Sequence, residues 1–266
     1  MGSTNAGNAG AGGGTILETE GLTKEFRGFV AVADVALKVR RGSIHGLIGP
    51  NGAGKTTCFN LLTKFLPPTR GVIRYDGRDI TRMKPAEVAR LGLVRSFQIS
   101  AVFPNLTVLE NVRLALQRER GGSFDFWRSE TLLRSFDDRA MALLDDVGLT
   151  AYARHNAGEL PYGRKRALEI ATTLALDPVM LLLDEPTAGM THEDVDRIIT
   201  LVKRVAKGRT VLLVEHNLKV VSGLCDTITV LTRGRVLAEG DYAAVSANPE
   251  VQAAYLGTDP GFSGEH

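Results

Sequence analysis

The chain has 266 residues, 44% of them hydrophobic, and a formal net charge of +2. That length buries a sizeable core as one large domain or two smaller lobes, and the intermixed acids and bases form no basic run or tail of the kind that marks a nucleic-acid footprint. No apolar stretch reaches the 18 or more residues of a membrane-spanning helix, and the two cysteines, Cys58 and Cys225, lie far apart without metal-ligand spacing, which predicts buried thiols in a soluble protein of a reducing, cytoplasmic compartment.

Met1 to Gly14 has neither a charged n-region nor an apolar h-region and is expected to be a disordered lead-in (1–14) rather than a signal peptide. An ordered domain is expected over 15–257, followed by a short tail at 258–266. Ile16–Thr19, Ala36–Val39 and Gly71–Gly77 alternate like strands, the last ending in an Asp76-Gly77 turn. They predict a small antiparallel sheet. The apolar run Ile44–Ile48 reads as a strand and Thr57–Leu62 as the start of a helix. From Glu87 to about Leu176 the pattern turns mostly helical, with Leu132, Leu133, Phe136, Ala140, Leu143, Leu144 and Val147 at three- and four-residue spacing. Two short buried strands follow, Val179–Leu183 and Thr210–Val214, separated by an amphipathic segment from Val195 to Val205. Strand–helix–strand alternation implies a parallel sheet. Ile228–Leu231, Arg233-Gly234 and Arg235–Leu237 read as a closing hairpin.

Between the strand at Ile44–Ile48 and the following helix stands Gly49-Pro50-Asn51-Gly52-Ala53-Gly54-Lys55-Thr56, a complete G-x-x-x-x-G-K-[ST] loop in its required strand–loop–helix setting. Its glycines let consecutive N–H groups and the helix start face an anion. Lys55 adds a point charge for outer phosphates, and Thr56 a hydroxyl for magnesium. The loop predicts a nucleoside triphosphate site. The strand Val179–Leu183 delivers Asp184-Glu185 at its carboxyl end, where open α/β sheets bind ligands. One acid there can hold magnesium, directly or through water, and the next can polarise an attacking water; the alternative is a solvated acidic pair at a strand end. Thr210–Val214 ends in Glu215-His216; by itself the histidine is either structural or a partner of the terminal phosphate.

Taken together these residues resemble the ATP-binding subunit of ABC transporters, over about Ile16 to Leu256. The resemblance implies an α/β fold: a P-loop NTPase (RecA-like) core with an N-terminal antiparallel β subdomain and an inserted helical subdomain at about 87–176. It implies ATP and Mg2+ as cofactors, with Gly49 to Thr57 as the Walker A loop, so that Asn51, Gly52, Ala53, Gly54, Lys55, Thr56 and Thr57 bind nucleotide. Val179 to Glu185 corresponds to Walker B with its catalytic glutamate. Gln98 matches the glutamine that senses magnesium and the attacking water, His216 the switch histidine, and Phe26 the aromatic that stacks on adenine. Metal ligation falls to Thr56, Gln98 and Asp184. Leu160-Pro161-Tyr162-Gly163-Arg164 occupies the signature position, which in the family caps ATP held by the opposite subunit.

Two departures stand out. Pro161 and Arg164 replace the usual serine and glutamine of the signature, and Thr191 stands where many members carry an aspartate. The resemblance implies a peripheral ATPase at the cytoplasmic face of the inner (plasma) membrane, working with a second ABC ATPase subunit (a heterodimer favoured, a homodimer the alternative), two transmembrane permease subunits and, indirectly, a periplasmic solute-binding protein. Permease contact is expected around Ile99 to Leu106, where Val102-Phe103-Pro104 either exposes apolar groups or joins the helical core. Arg95-Ser96-Phe97-Gln98, Pro161-Tyr162-Gly163, Val214-Glu215-His216-Asn217 and the tail Asn248–Gly257 look like the ATPases of branched-chain amino acid importers; urea or amide importers and lipopolysaccharide exporters share some of these phrases. A non-transport ABC switch lacks support, for the chain has no tandem ATPase domain, long coiled coil or basic arm. A small-molecule kinase leaves Leu160 to Gly163 unexplained.

Overall fold

The computed structural model describes residues 14–96, 102–119 and 136–256. In chain order the elements are β1 (Thr15–Phe26), β2 (Phe29–Val35), β3 (Lys38–Arg40), β4 (Ile44–Ile48), α1 (Lys55–Leu62), β5 (Arg70–Tyr75), β6 (Arg78–Asp79), α2 (Pro85–Arg90), β7 (Leu93–Arg95) and α3 (Val108–Glu119). They continue with α4 (Asp137–Asp146), α5 (Tyr162–Leu174), β8 (Met180–Asp184), α6 (His192–Val205), β9 (Thr210–Val214), α7 (Leu218–Leu224), β10 (Thr227–Thr232), β11 (Arg235–Gly240), α8 (Tyr242–Ser246) and α9 (Pro249–Leu256).

Among the described residues the strands form two sheets. In the first, β1 pairs antiparallel with β2, β3 and β5, and β6 extends β5. The second runs β11-β10-β4-β9-β8-β7, parallel from β10 to β7, with β11 closing one edge antiparallel. Every residue of β8 and β9 is buried, as a parallel sheet covered on both faces requires. Alternate residues then serve opposite faces. Met180, Leu182, Leu212 and Val214 pack with Phe59, Leu61 and Leu62 of α1, under the antiparallel sheet. Leu181, Leu183, Val211 and Leu213 pack with Ile198 and Val202 of α6 and, through Leu168 and Ala171 of α5, with the helical layer of Val112, Leu116 and Leu144. The helical layer is thus continuous with one face of the main sheet.

The sequence pattern differs from this architecture in several places: Ala36 and Leu37 precede β3, and Val179, expected in a buried strand, lies outside β8 and is exposed. β1 and β2 form a long hairpin, whereas only its first residues show strand alternation; a register shift near Lys24 breaks the period there. The helical stretch expected from Glu87 opens with α2 but then yields β7, which pairs with β8 in the main sheet, so helix resumes only at Val108 with α3. Three residues of β7 are too few to show a period of two. The expected 1–14 lead-in lies outside the described residues except Gly14, as do the tail 258–266 and both Leu132 and Leu133 of the helical pattern.

One buried ionisable group of the main sheet yields a measurable consequence. His45 of β4 is 1% exposed, with Nε2 2.8 Å from the Thr229 hydroxyl oxygen. The Thr229 O–H donates to Glu239 Oε2 at 2.7 Å, so the imidazole must donate to the Thr229 oxygen. Burial, assisted by the Arg40 charge, pushes its pKa down from 6.5 to about 4. Below pH 6.5 the unfolded chain therefore takes up a proton that the folded one refuses, and stability is lost as pH falls toward 4. At about 1.4 kcal/mol per pH unit the loss reaches roughly 3 kcal/mol. We expect the stability difference between the parent and His45→Gln to change by that amount between pH 7 and pH 4 in urea titrations; a pH-independent difference refutes it.

Candidate functional site

The loop that joins β4 to α1 is shaped by what surrounds it. Gly49 has φ 152° and Gly54 φ 97°; a Cβ at Gly49 would stand 2.2 Å from the Leu231 carbonyl oxygen, and one at Gly54 2.5 Å from that of Ala31. Only glycine fits at either point. The Gly234 N–H at the β10–β11 turn donates to Ala53 O at 2.9 Å, and Gly234 O accepts from the Ala33 N–H of β2 at 2.8 Å. Both sheets therefore grip the loop. Gly54 caps α1 with no side-chain hydrogen bond, which leaves the first-turn N–H groups to an external acceptor. Lys55 is buried, its Nζ donating to Gly49 O at 2.6 Å and Pro50 O at 3.1 Å. Burial lowers its pKa, while Glu185 and Asp184 act in the opposite sense. Asn51, Gly52 and Thr56 are exposed, Ala53 is buried and Thr57 half-buried.

Two strand ends face this loop. Asp184 closes β8 with its carboxylate buried, Oδ2 2.6 Å from Arg95 Nη2. The same guanidinium donates to Asn60 Oδ1 at 2.6 Å and lies 4.9 Å over the Phe59 ring. Glu185, the next residue, turns out of the sheet with φ 43°, a left-handed conformation that costs a non-glycine residue of order 1 kcal/mol. That turn leaves its carboxylate partly exposed, 3.9 Å from His216 Nδ1. His216, just beyond β9, is half exposed. Glu215 beside it is fully buried and accepts from the Thr187 N–H and hydroxyl and from the N–H groups of His216 and Asn217.

The signature segment opens α5. Leu160 is buried, and Pro161 is the N-cap, its carbonyl accepting from the Lys165 N–H at 3.0 Å. Tyr162 is exposed. A Cβ on Gly163 would come 3.1 Å from the Asp194 carboxylate, so α5 and α6 meet closely there. Arg164 stacks 4.2 Å over the Tyr152 ring at the edge of a cavity of about 300 Å³. Further along α5, Arg166 Nη2 donates to Asp184 O at 2.8 Å while Nη1 pairs with Glu169 at 2.7 Å, all of it buried. Thr191 caps α6 by accepting from the Asp194 N–H at 3.3 Å, a capping role that aspartate and threonine share.

Lys55, Asp184, Glu185 and His216 are brought together by the sheet. Phe26 ends β1, 41% exposed at the tip of the hairpin whose second strand backs Gly54. Phe103 is 53% exposed, which removes it from the helical core. Gln98 and Ile99 to Ala101 lie outside the described residues. Sequence reasoning missed Arg95, Arg166 and the contacts of Glu215. Arg95 reads only as the first residue of the Arg95–Gln98 phrase, at the end of a three-residue strand, and Arg166 reads as an ordinary helix charge. Glu215 was visible only as part of a phrase. For magnesium, the described residues contain no cluster of three or more His, Cys, Asp or Glu. A cation that keeps its waters and leans on substrate phosphates needs only one or two carboxylate or hydroxyl oxygens, and the Asp184 carboxylate and Thr56 hydroxyl are of that chemistry.

Known proteins similar to this chain fall in one family. Residues 32–188 match the family model described as ABC transporter, and residues 235–260 the model described as branched-chain amino acid ATP-binding cassette transporter. The chain is 41% identical over 252 residues to the high-affinity branched-chain amino acid transport ATP-binding protein BraF of Pseudomonas aeruginosa, across 91% of this chain and 98% of that protein. Its structure is similar to the ADP conformation of an ATP-binding cassette of an ABC transporter, with TM-score 0.80, 31% identity, and coverage of 92% and 100%. It also resembles a dimeric post-hydrolysis state of a cassette bound to ADP and Pi, with TM-score 0.71, 26% identity, and coverage of 85% and 98%.

The Arg95–Asp184 pair carries a stability prediction. Breaking a buried ion pair from one side strands the other charge, at a cost of about 3–5 kcal/mol. Arg95→Met should lower unfolding free energy by that order, and Arg95→Met with Asp184→Asn should lose clearly less than the two single changes summed. Additive losses in chemical denaturation refute the coupling.

Proposed function

The chain belongs to the ABC transporter family, and on that premise we propose that it is the ATP-hydrolysing subunit of a membrane importer for branched-chain or related amino acids. The observation that carries the ATPase reading is the meeting of Lys55, Asp184, Glu185 and His216 at the ends of β4, β8 and β9. The match of residues 235–260 to the branched-chain amino acid model favours that solute class over urea, amides or lipopolysaccharide.

In this reading the N–H groups of Gly49 to Gly54 and the start of α1 take the phosphates, with Asn51, Gly52, Ala53 and Thr57 lining the cradle. Lys55 trades its two backbone carbonyls for the outer phosphate oxygens. Thr56 and Asp184, with Gln98 as a further ligand, would hold Mg2+, which would neutralise charge on the phosphate oxygens. Glu185 polarises the attacking water and receives its proton, while His216 steadies the terminal phosphate. Phe26 stacks on adenine. Transfer to water needs positioning and charge neutralisation above all, and these side chains supply both.

ATP closes two cassettes together because the closed state binds it better than the open one, and hydrolysis reopens them. The motion drives two permease subunits, with exposed Phe103 part of the contact. None of the helices among the described residues is long and apolar enough to cross a membrane, consistent with a peripheral subunit at the cytoplasmic face of the inner membrane. A periplasmic binding protein presents the solute to the permeases.

Two substitutions test the site. Lys55→Ala should weaken ATP binding and abolish hydrolysis in a folded protein. Glu185→Gln should keep binding but lose turnover, since it removes an interaction made mainly in the transition state, and should accumulate as an ATP-bound dimer in size-exclusion chromatography. Parental turnover by either variant removes the corresponding role.

The signature favours a heterodimer. Pro161 offers no hydroxyl to the partner's ATP, and the Arg164 guanidinium is engaged by Tyr152. A lost charge-assisted hydrogen bond of about 1.5–3 kcal/mol makes the site capped by Leu160 to Arg164 at least about tenfold slower than the reciprocal one. In a co-expressed assembly with a partner ATPase and the permeases, disabling each Walker B glutamate separately should give unequal losses of ATPase activity. Equal losses, or full transport by a homodimer of this chain, refute the asymmetry.

A further inference from the structure

Glu215 and Glu185 are the two glutamates that follow the paired residues Val214 and Asp184 of adjacent strands, yet their surroundings are opposite. The Glu185 carboxylate is partly exposed beside His216. Glu215 has no exposed surface and receives four hydrogen bonds. Thr187 N–H at 3.1 Å and Thr187 O–H at 2.6 Å reach Oε1; His216 N–H at 3.0 Å and Asn217 N–H at 3.1 Å reach Oε2. An ionised carboxylate offers about four acceptor sites, so every one is taken. Glu215 has no acceptor site left over for a metal ion or a water.

Its two oxygens divide their work between two loops. Oε1 holds the segment that follows Pro186 and leads to Thr191 at the head of α6. Oε2 holds the backbone of His216 and of Asn217, the N-cap of α7. We propose that Glu215 is a positioning residue that locks His216 and the Thr187–Thr191 loop into one unit, so that a displacement of either loop is felt by the other. This rests on the role given above to His216 and adds to it a link between the terminal-phosphate contact and the loop beside the signature end of α5, where Gly163 meets Asp194. Hydrogen bonds to a carboxylate are stronger than those between neutral groups; the one from the Thr187 hydroxyl is the shortest of the four, and together they tie the two loops to one side chain. Glu215→Gln keeps the shape but turns one end into an N–H donor, facing donors that then have no acceptor.

The test uses the full-length chain in the co-expressed assembly described above, with ATP binding, steady-state hydrolysis and thermal melting measured in parallel. Glu215→Gln should leave ATP affinity and KM within about threefold and lower kcat at least tenfold. Thr187→Val, which deletes one arm, should lower kcat several-fold at unchanged KM, and Thr187→Ser, which restores the hydroxyl, should recover it. In the Glu215→Gln background Thr187→Val should cost nothing more. Parental kcat in Glu215→Gln, or independent multiplication of the two effects, overturns the link. Should Glu215→Gln fail to fold, the Thr187 pair decides: a kcat indifferent to Val overturns it, and loss with Ser rescue supports it. Glu185→Gln serves as the control, for parental turnover there fails the reading of the site itself, whereas a dead Glu185→Gln beside a fully active Glu215→Gln fails only this link.

Discussion

The parallel register of β8, β9 and β4 sets every distance in the site. Asp184 pairs with Val214, and Val214 with Leu47. The residues where those three strands end, Glu185, Glu215 with His216, and Gly49 after Ile48, therefore emerge side by side at one edge of the sheet. A slip of one residue in any pair would carry Asp184 to the opposite face and separate the acids from the loop. The register is held by packing on both faces, for Leu181 and Leu183 belong to one core and Met180 and Leu182 to the other, while the buried Asp184 is fixed by Arg95. The chemistry is positioned by apolar packing that takes no part in it.

Charges within this apolar frame are each answered by a specific partner. Asp184 is met by Arg95, which is itself held by Asn60 and the Phe59 ring. Arg166 is met by Glu169 and by the Asp184 carbonyl, which ties the signature helix to the strand that bears the acids. Lys55 rests on two loop carbonyls. Buried charge is tolerated only with such partners, and here the partners also align the groups. Glu185 differs because its left-handed backbone takes it out of the packed interior, to the partly wet edge where a water can reach it.

The departures from the family pattern divide into two kinds. At Thr191 the capping function is preserved, since its hydroxyl accepts the N–H that an aspartate would. At Pro161 and Arg164 the helix start is preserved but the side-chain chemistry is not: proline caps through its extended backbone, and arginine turns to an aromatic ring within its own subunit.

The sequence by itself determined the phosphate loop, the two buried strands and the acids and histidine at their ends, because those features are local: a fixed loop chemistry, short apolar runs, and the residue that follows each run. It also carried the amphipathic period of α6 and the closing hairpin. It did not determine β7 or the full length of the β1–β2 hairpin, where segments are short or the period is broken by a register shift. Nor did it reveal that Arg95 neutralises Asp184 from 89 residues away, that Arg166 fastens α5 to β8, or that Glu215 is spent on four hydrogen bonds while Glu185 stays free beside His216. Two Glu side chains after two apolar strands look alike in one dimension. Which is buried and which is wet is decided by a backbone turn and by the donors that neighbouring loops bring, and those exist only once the strands are side by side.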